Sequence, residues 1–226
     1  MPDAPCHTAG LCWIDRGLDD AVACVAHEEA LWRSLESDVN QPGLFHIWEP
    51  TRYCVVVGRG SRREHEVDIA ACHMDGIPVI QRCSGGASIV TGPGCLMYAF
   101  ILPLRHPGTL PAIEGVHRQL LGRIRLALSD PSQPIQCAGT SDLAFTDATG
   151  VLRKFSGNSL RIGRNAVLYH GTVLYAMQLE YLARWLRHPP REPAYRTARS
   201  HLDFCANLPL DRSTLVRRIE NAAREG

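Results

Sequence analysis

Apolar residues recur at every third or fourth position from Asp19 to Leu35, at Val22, Val25, Leu31 and Leu35, with Glu28, Glu29 and Arg33 between them. That spacing predicts an amphipathic helix. Leu44 to Trp48 and Tyr53 to Val57 read as strands, the second ending at Gly58-Arg59-Gly60, where glycine permits a tight turn. Val67 to Met74 predicts a short helix closed by Gly76, and Ile77 to Ile80 a strand. The unbroken apolar run Leu96 to Leu102 has no polar face, so it reads as a strand buried on both sides. Ala112 to Leu128 predicts a second long helix, with Ile113, Val116, Leu120, Ile124 and Leu128 on one side and Ser129 to Pro134 ending it. Strands follow at Asp142 to Phe145, Val151 to Phe155 and Ala166 to Tyr175, the first two joined by a turn at Asp147 to Gly150. Leu179 to Leu186 and Ser213 to Arg224 predict C-terminal helices, separated by a turn rich in proline at Pro189, Pro190 and Pro193. Hairpins with few intervening helices predict an α+β fold with a mixed sheet rather than a doubly wound parallel one. No repeat, low-complexity tract or boundary divides residues 1–226, so one domain is expected.

Composition narrows the classes. The 226 residues are 45% hydrophobic, enough for a substantial core. A formal charge of +1 supplies no extended field for DNA, RNA or an anionic membrane, so partners are expected to be recognised locally. Nine cysteines without a C-x-x-C pair fit neither a disulfide framework nor a zinc site, and suit a reducing cytoplasm. Met1 to Gly10 shows no basic patch followed by an apolar run, and nowhere do about eighteen apolar residues follow one another. A soluble, cytoplasmic protein is the expectation. One bias is sharper: of 24 basic residues, all but Lys154 are arginine. Arginine is a broad planar fork, whereas the lysine ammonium is a compact charge that fits between two anionic oxygens, so the one lysine is a candidate for chemistry.

Several familiar sites are excluded. Gly58-Arg59-Gly60 lacks the third glycine of a dinucleotide fingerprint, the lysine follows Arg153 rather than glycine as a phosphate loop requires, and no H-E-x-x-H helix is present. Three segments remain. Arg82-Cys83-Ser84-Gly85-Gly86-Ala87-Ser88 sets an arginine at a strand end before small residues whose backbone can approach a ligand and offer amides to phosphate. Lys154-Phe155-Ser156-Gly157-Asn158 again sets a cation beside small and polar residues, with Ser141-Asp142 upstream. His170-Gly171-Thr172 interrupts an apolar strand with a glycine, a mark of close backbone approach.

In order and spacing these segments resemble the biotin/lipoate protein ligase family, in its lipoate-ligase and octanoyltransferase branch. Val55 to Gly60 is similar to the family's apolar strand ending in Gly-Arg, and Ile77 to Ala87 to its I-P-V-x-R-R-x-S-G-G-G segment. Ser141-Asp142-Leu143 resembles its Asn-Asp-Leu, Lys154 to Asn158 its K-I-S-G-N/S, and His170-Gly171-Thr172 its H-H-G-T. The likeness runs over roughly residues 10–176, leaving residues 177–226 as C-terminal helices without an accessory domain.

The resemblance implies the catalytic fold that class II aminoacyl-tRNA synthetases and biotin ligases share, with a largely antiparallel central sheet flanked by helices. It implies that lipoate or octanoate and ATP form an acyl-adenylate, and that the acyl group passes to a lysine of a lipoyl carrier domain or a glycine-cleavage H-type protein. Lys154 would be the catalytic cation, bridging carboxylate and α-phosphate. Arg82 and the amides of Ala87, Ser88 and Ile89 would hold phosphates, and Asp142 would orient the adenylate or its magnesium. Ser84, Gly85, Gly86, Gly157, Asn158, His170 and Gly171 would border the acyl pocket. ATP and magnesium would come and go with the reaction, and an accessory subunit could complete the ligase.

The chain departs from that pattern at Gln81, which replaces the first of two arginines, at Ala87, which replaces a third glycine, and at Thr91-Gly92, which replaces a His-Asp. Gly92-Pro93-Gly94-Cys95-Leu96 instead resembles the G-P-G-Q-L of octanoyltransferases, which use a cysteine thioester and no ATP. That alternative makes Cys83, Cys95 or Cys137 the candidate nucleophile. A non-catalytic homologue that binds a cofactor or protein is the third reading.

Overall fold

The computed structural model describes residues 6, 11–14, 20–38 and 40–224. In chain order its elements are β1 (Cys12–Ile14), α1 (Ala21–Ser37), β2 (Leu44–Trp48), β3 (Cys54–Val57), α2 (Arg63–Glu66), α3 (Ile69–Met74), β4 (Val79–Gln81) and β5 (Ile89–Thr91). There follow β6 (Cys95–Pro103), α4 (Ile113–Leu128), β7 (Ile135–Ala138), β8 (Asp142–Thr146), β9 (Leu152–Ile162) and β10 (Ala166–Leu174). The last are α5 (Glu180–Trp185), a 3-10 turn (Ala194–Arg196), α6 (His201–Phe204) and α7 (Arg212–Arg224).

Seven strands form one sheet in the order β1-β2-β6-β10-β9-β8-β7, parallel only between β1 and β2, and a small sheet β4-β3-β5 stands apart from it. The architecture is therefore the expected α+β arrangement with a largely antiparallel sheet. Strand β6 shows why its sequence carries no polar face. Leu96, Tyr98, Phe100 and Leu102 face a core that α4 and α7 complete, while Ala99 and Ile101 meet Trp32 and Leu35 of α1 on the other side. Among the described residues, no helix is long and apolar enough to cross a membrane.

Some expectations change in detail. The predicted helix start at Asp19, like most of Met1 to Gly10, lies outside the described residues; Asp20 caps α1, accepting from the Val22 amide. The buried stripe of α1 is Ala21, Cys24, Val25, Glu28, Trp32 and Leu35, which leaves Val22 exposed and carries a carboxylate into the interior. Similarly, Ile113 of α4 points outward, and His117 takes a buried position. The helix expected at Val67 to Met74 starts two residues later, as α3, and a separate short helix, α2, precedes Val67. Val67 bridges to Leu186, and the Asp68 carboxylate accepts from the Ala71 amide at 2.9 Å to start α3. A side-chain cap of this kind gives the backbone a local alternative to continuing the helix.

Candidate active site

Lys154 lies on β9 next to Asp142 of β8, with Nζ 2.7 Å from Oδ1. A bulge produces this meeting. Ala144 pairs with Lys154 and Leu143 with Ser156, so Phe155 is an extra residue on β9. Without it, Lys154 and Gly157, three apart, would point to opposite faces. With it, Phe155 turns into the core and Lys154 comes to lie over Gly157 on the Asp142 side. A Cβ at position 157 would stand 3.0 Å from Nζ, close enough that the lysine would have to shift by a few tenths of an ångström. The other oxygen of Asp142 accepts from the Tyr195 hydroxyl at 2.8 Å. Burial first, and the Asp142 charge second, push that phenol above its ordinary value.

Lys154 and Asp142 line a cavity of about 380 Å³. Arg82, Gly86, Ala87, Ser88 and Ile89 border it, as do Gly157, Asn158, His170 and Gly171, so nearly every expected site residue converges there. Ser84 and Gly85 stand behind this lining. Val25, Val56 and Met97 supply apolar wall. Gly171 is fixed by crowding: Tyr98 donates to Asn158 Oδ1 beside it, and a Cβ would fall 2.0 Å from that oxygen. Lys154, Ser88 and Gly157 also border a narrower cavity of about 140 Å³, with Phe204, Leu186 and Cys205.

Beneath the glycine loop runs a buried chain of polar groups. Arg82 is 5% exposed, and each of its nitrogens has an acceptor. Nε donates to Ser84 Oγ at 3.0 Å, Nη1 to the Val56 carbonyl, and Nη2 to the carbonyls of Gly85 and Ala87. Burial lowers this guanidinium to about 10, still a cation at neutral pH. Ser84 Oγ lies 2.6 Å from His170 Nε2, and His170 Nδ1 lies 2.8 Å from Glu28 Oε2. A hydrogen on Nδ1 and none on Nε2 satisfies every member: Nδ1 donates to Glu28, Nε2 accepts from the serine hydroxyl, and Oγ accepts from Arg82. Trp48 Nε1 donates to Glu28 Oε1 at 2.8 Å. Burial alone would raise the Glu28 carboxyl, but hydrogen bonds from His170 and His46 bring it down to about 2.

Above the loop the arrangement differs. The Ser88 amide donates to Glu66 Oε2 at 2.6 Å, and the Ser88 hydroxyl has no partner among the described residues. An anion therefore already occupies one amide of the segment expected to hold phosphate, and it is the protein's own carboxylate. Each oxygen of Asp142 accepts a bond, and the ammonium 2.7 Å away repels a second cation. A magnesium ion at Asp142 would require the Lys154 ammonium to move aside, and no group of three His, Cys, Asp or Glu suited to a metal occurs among the described residues.

The cysteines lie apart from the cavity. Cys83 is half-buried and pushed up to about 11 by burial, and Cys95 is fully buried and pushed up to about 12. Cys137 is exposed on β7, its thiol also raised by burial. Cys205 does line the narrower cavity with Lys154, yet burial outweighs the lysine's pull and raises its thiol as well.

Four site residues went unanticipated. Glu28 carried a signal, since positions 25, 28, 32 and 35 form one helical stripe. Glu66 carried none. Tyr195 and Arg191 arrive from the proline-rich segment read as a turn, and Arg191 borders all three cavities around the site.

The sequence pattern of the family described as "Lipoyl protein ligase A/B catalytic domain" matches residues 20–210. The protein named "Probable lipoate-protein ligase A" of Mycoplasma genitalium is 26% identical over 143 residues, 63% of this chain and 40% of that protein. The chain thus matches less than half the length of that relative. The bi-partite lipoate protein ligase of Thermoplasma acidophilum, described with its E2 lipoyl domain, superposes with a TM-score of 0.78 at 18% identity, covering 96% of this chain and 82% of that one. A lipoate-protein ligase A bound with ATP gives a TM-score of 0.71 at 16% identity, covering 94% and 81%. These last two likenesses are of fold.

Proposed function

Because the chain belongs to the lipoyl protein ligase A/B catalytic domain family, we propose that it is an acyl ligase of the lipoate-protein ligase kind. On this reading, residues 1–226 are one catalytic domain, lipoate or octanoate is activated with ATP to the acyl-adenylate, and the acyl group is passed to a lysine of a lipoyl carrier domain. The observation that carries the reading is the Lys154–Asp142 pair at a part-apolar cavity of about 380 Å³, with raised thiols at every candidate cysteine.

The chemistry needs a compact cation where the carboxylate oxygen attacks the α-phosphate, because negative charge accumulates between them. Lys154 supplies it by leaving Asp142 for the ligand, a preorganised charge worth far more in a partly dry site than in water. Asp142, steadied by Tyr195, returns the ammonium to the same place after each turnover. Arg82 acts at one remove: it clamps the carbonyls of Gly85 and Ala87, and so aims the loop along which the acyl group and phosphate lie. Gly157 and Gly171 keep the floor low enough for the ligand to approach. Magnesium, if carried in by the nucleotide, would shield its phosphates. ATP–pyrophosphate exchange in the presence of lipoate, octanoate or biotin tests the reading, with and without an accessory subunit. Exchange is expected with the first two acids; its absence with all three refutes the proposal.

A further inference from the structure

A second cleft, of about 630 Å³, is bordered by the Gly85–Ala87 loop. Arg59, Arg62, His65 and Arg191 line it. We infer that this cleft docks an acidic segment of the protein that accepts the acyl group, placing a neighbouring lysine of that protein at the Lys154 cavity; the inference rests on the acyl-ligase reading.

Charge is the first argument. The chain as a whole carries +1, yet three exposed arginines meet at this cleft, and none of their side chains makes a hydrogen bond or ion pair among the described residues. Glu66 is the one carboxylate in the lining, against three guanidinium groups. Glu66 is engaged by the Ser88 amide, and Glu192 by the Ala198 amide, His188 and Arg196.

The kind of anion follows from the backbone. Phosphate sites converge amide groups on the ligand. Here two of the rim amides are engaged elsewhere: Arg59 N donates to the Ser84 carbonyl at 2.8 Å and Ser61 N to the Gly58 carbonyl at 3.0 Å. The loop turns its Gly86 carbonyl outward, where Ser61 Oγ donates to it at 3.1 Å. The side chains the cleft presents are long, exposed guanidinium groups around a space far larger than a diphosphate. Such groups recognise carboxylates on a protein surface, where they raise the association rate and fix register. Position completes the argument, because the cleft and the Lys154 cavity share Gly86, Ala87 and Arg191.

The test is the double charge reversal Arg59→Glu/Arg62→Glu in the full chain, with an isolated lipoyl carrier domain as protein acceptor and hydroxylamine as small acceptor. KM for the carrier domain is expected to rise at least tenfold and to lose its dependence on salt. kcat, and the formation of acyl hydroxamate from hydroxylamine, are expected to stay within twofold. Arg59→Lys/Arg62→Lys should keep the original KM, and reversing acidic residues beside the carrier's lysine should restore transfer by the reversed enzyme. An unchanged KM overturns the inference. So does a fall in hydroxamate formation equal to the fall in protein transfer, which would assign the arginines to activation. If neither acceptor is acylated by the unaltered chain, the ligase reading fails on its own, and calorimetry of the carrier domain with the chain decides the docking site: salt-sensitive binding lost in the reversal upholds it, and no binding overturns it.

Discussion

The two sides of the Gly85–Ala87 loop are built on opposite plans. Below it, Glu28, His170, Ser84 and Arg82 form a buried chain in which each donor has an acceptor, and Glu28 is 2% exposed. Above it, Lys154 is 27% exposed in its side chain and bound to a carboxylate that a ligand can replace, Glu66 caps an amide, and Arg191 stands free. Buried polar networks are costly to disturb because each unpaired member keeps its full desolvation penalty, whereas part-exposed pairs exchange partners cheaply. The loop thus has a fixed floor and a replaceable roof. Stability is expected to respond to the floor and ligand chemistry to the roof.

The largest expected effect breaks the roof alone. Lys154→Ala should lower the rate of acyl-adenylate formation by roughly a thousandfold, the scale for removing a preorganised charge from a transition state. The thermal unfolding midpoint should stay within a degree or two of the original, by the small worth of a part-exposed ion pair. A comparable loss of stability would show that the Lys154–Asp142 pair belongs to the floor. Glu28→Ala is the converse. It strands Trp48 Nε1 and His170 Nδ1 in the interior and should cost about 3 kcal/mol in denaturant unfolding.

Glu28→Gln sharpens the contrast through pH. The Glu28 carboxyl sits at about 2 in the folded chain against an ordinary 4.5, so its stabilisation is complete above pH 4.5 and is lost as pH falls toward 2. The glutamine variant should lack that part of the acid limb, read as a flatter unfolding free energy between those limits. The smallest effect is expected at Glu66. Glu66→Gln keeps an acceptor for the Ser88 amide and removes the charge, so inorganic pyrophosphate should bind a few-fold more tightly by calorimetry, about 1 kcal/mol for one charge removed beside a cleft open to solvent. Equal or weaker binding would mean that the Ser88 amide is not where anions enter.

The sequence displayed this site unevenly, for physical reasons. Strand β6 and helix α4 were legible because long apolar patterns report burial directly, as Phe100 and Ile124 show. Strands β1, β5 and β7, of three or four residues each, are too short to display a period. The site residues sit near glycines and cations that stand out against their surroundings, and Lys154, Gly157 and His170 do come together. What the pattern hid was direction. Arg82 reads as a phosphate ligand in sequence, but its guanidinium serves backbone carbonyls, a choice made by tertiary packing. Glu28 reads as solvated because charge is usually outside, although its place on the stripe with Val25 and Trp32 carries it inward.

The extra residue at Phe155 bears on how this chain tolerates changes of length. The hairpin tip at Asp147 to Gly150 ends in exposed Thr149 and Gly150 and connects two strands whose pairing is set elsewhere, so one more residue there alters only the loop. One residue gained or lost between Lys154 and Gly157 inverts the parity of the strand and sends the ammonium to the side now filled by Phe155, against Phe145. Two insertions of equal size, a few positions apart, would thus leave the chemistry untouched in one case and erase it in the other.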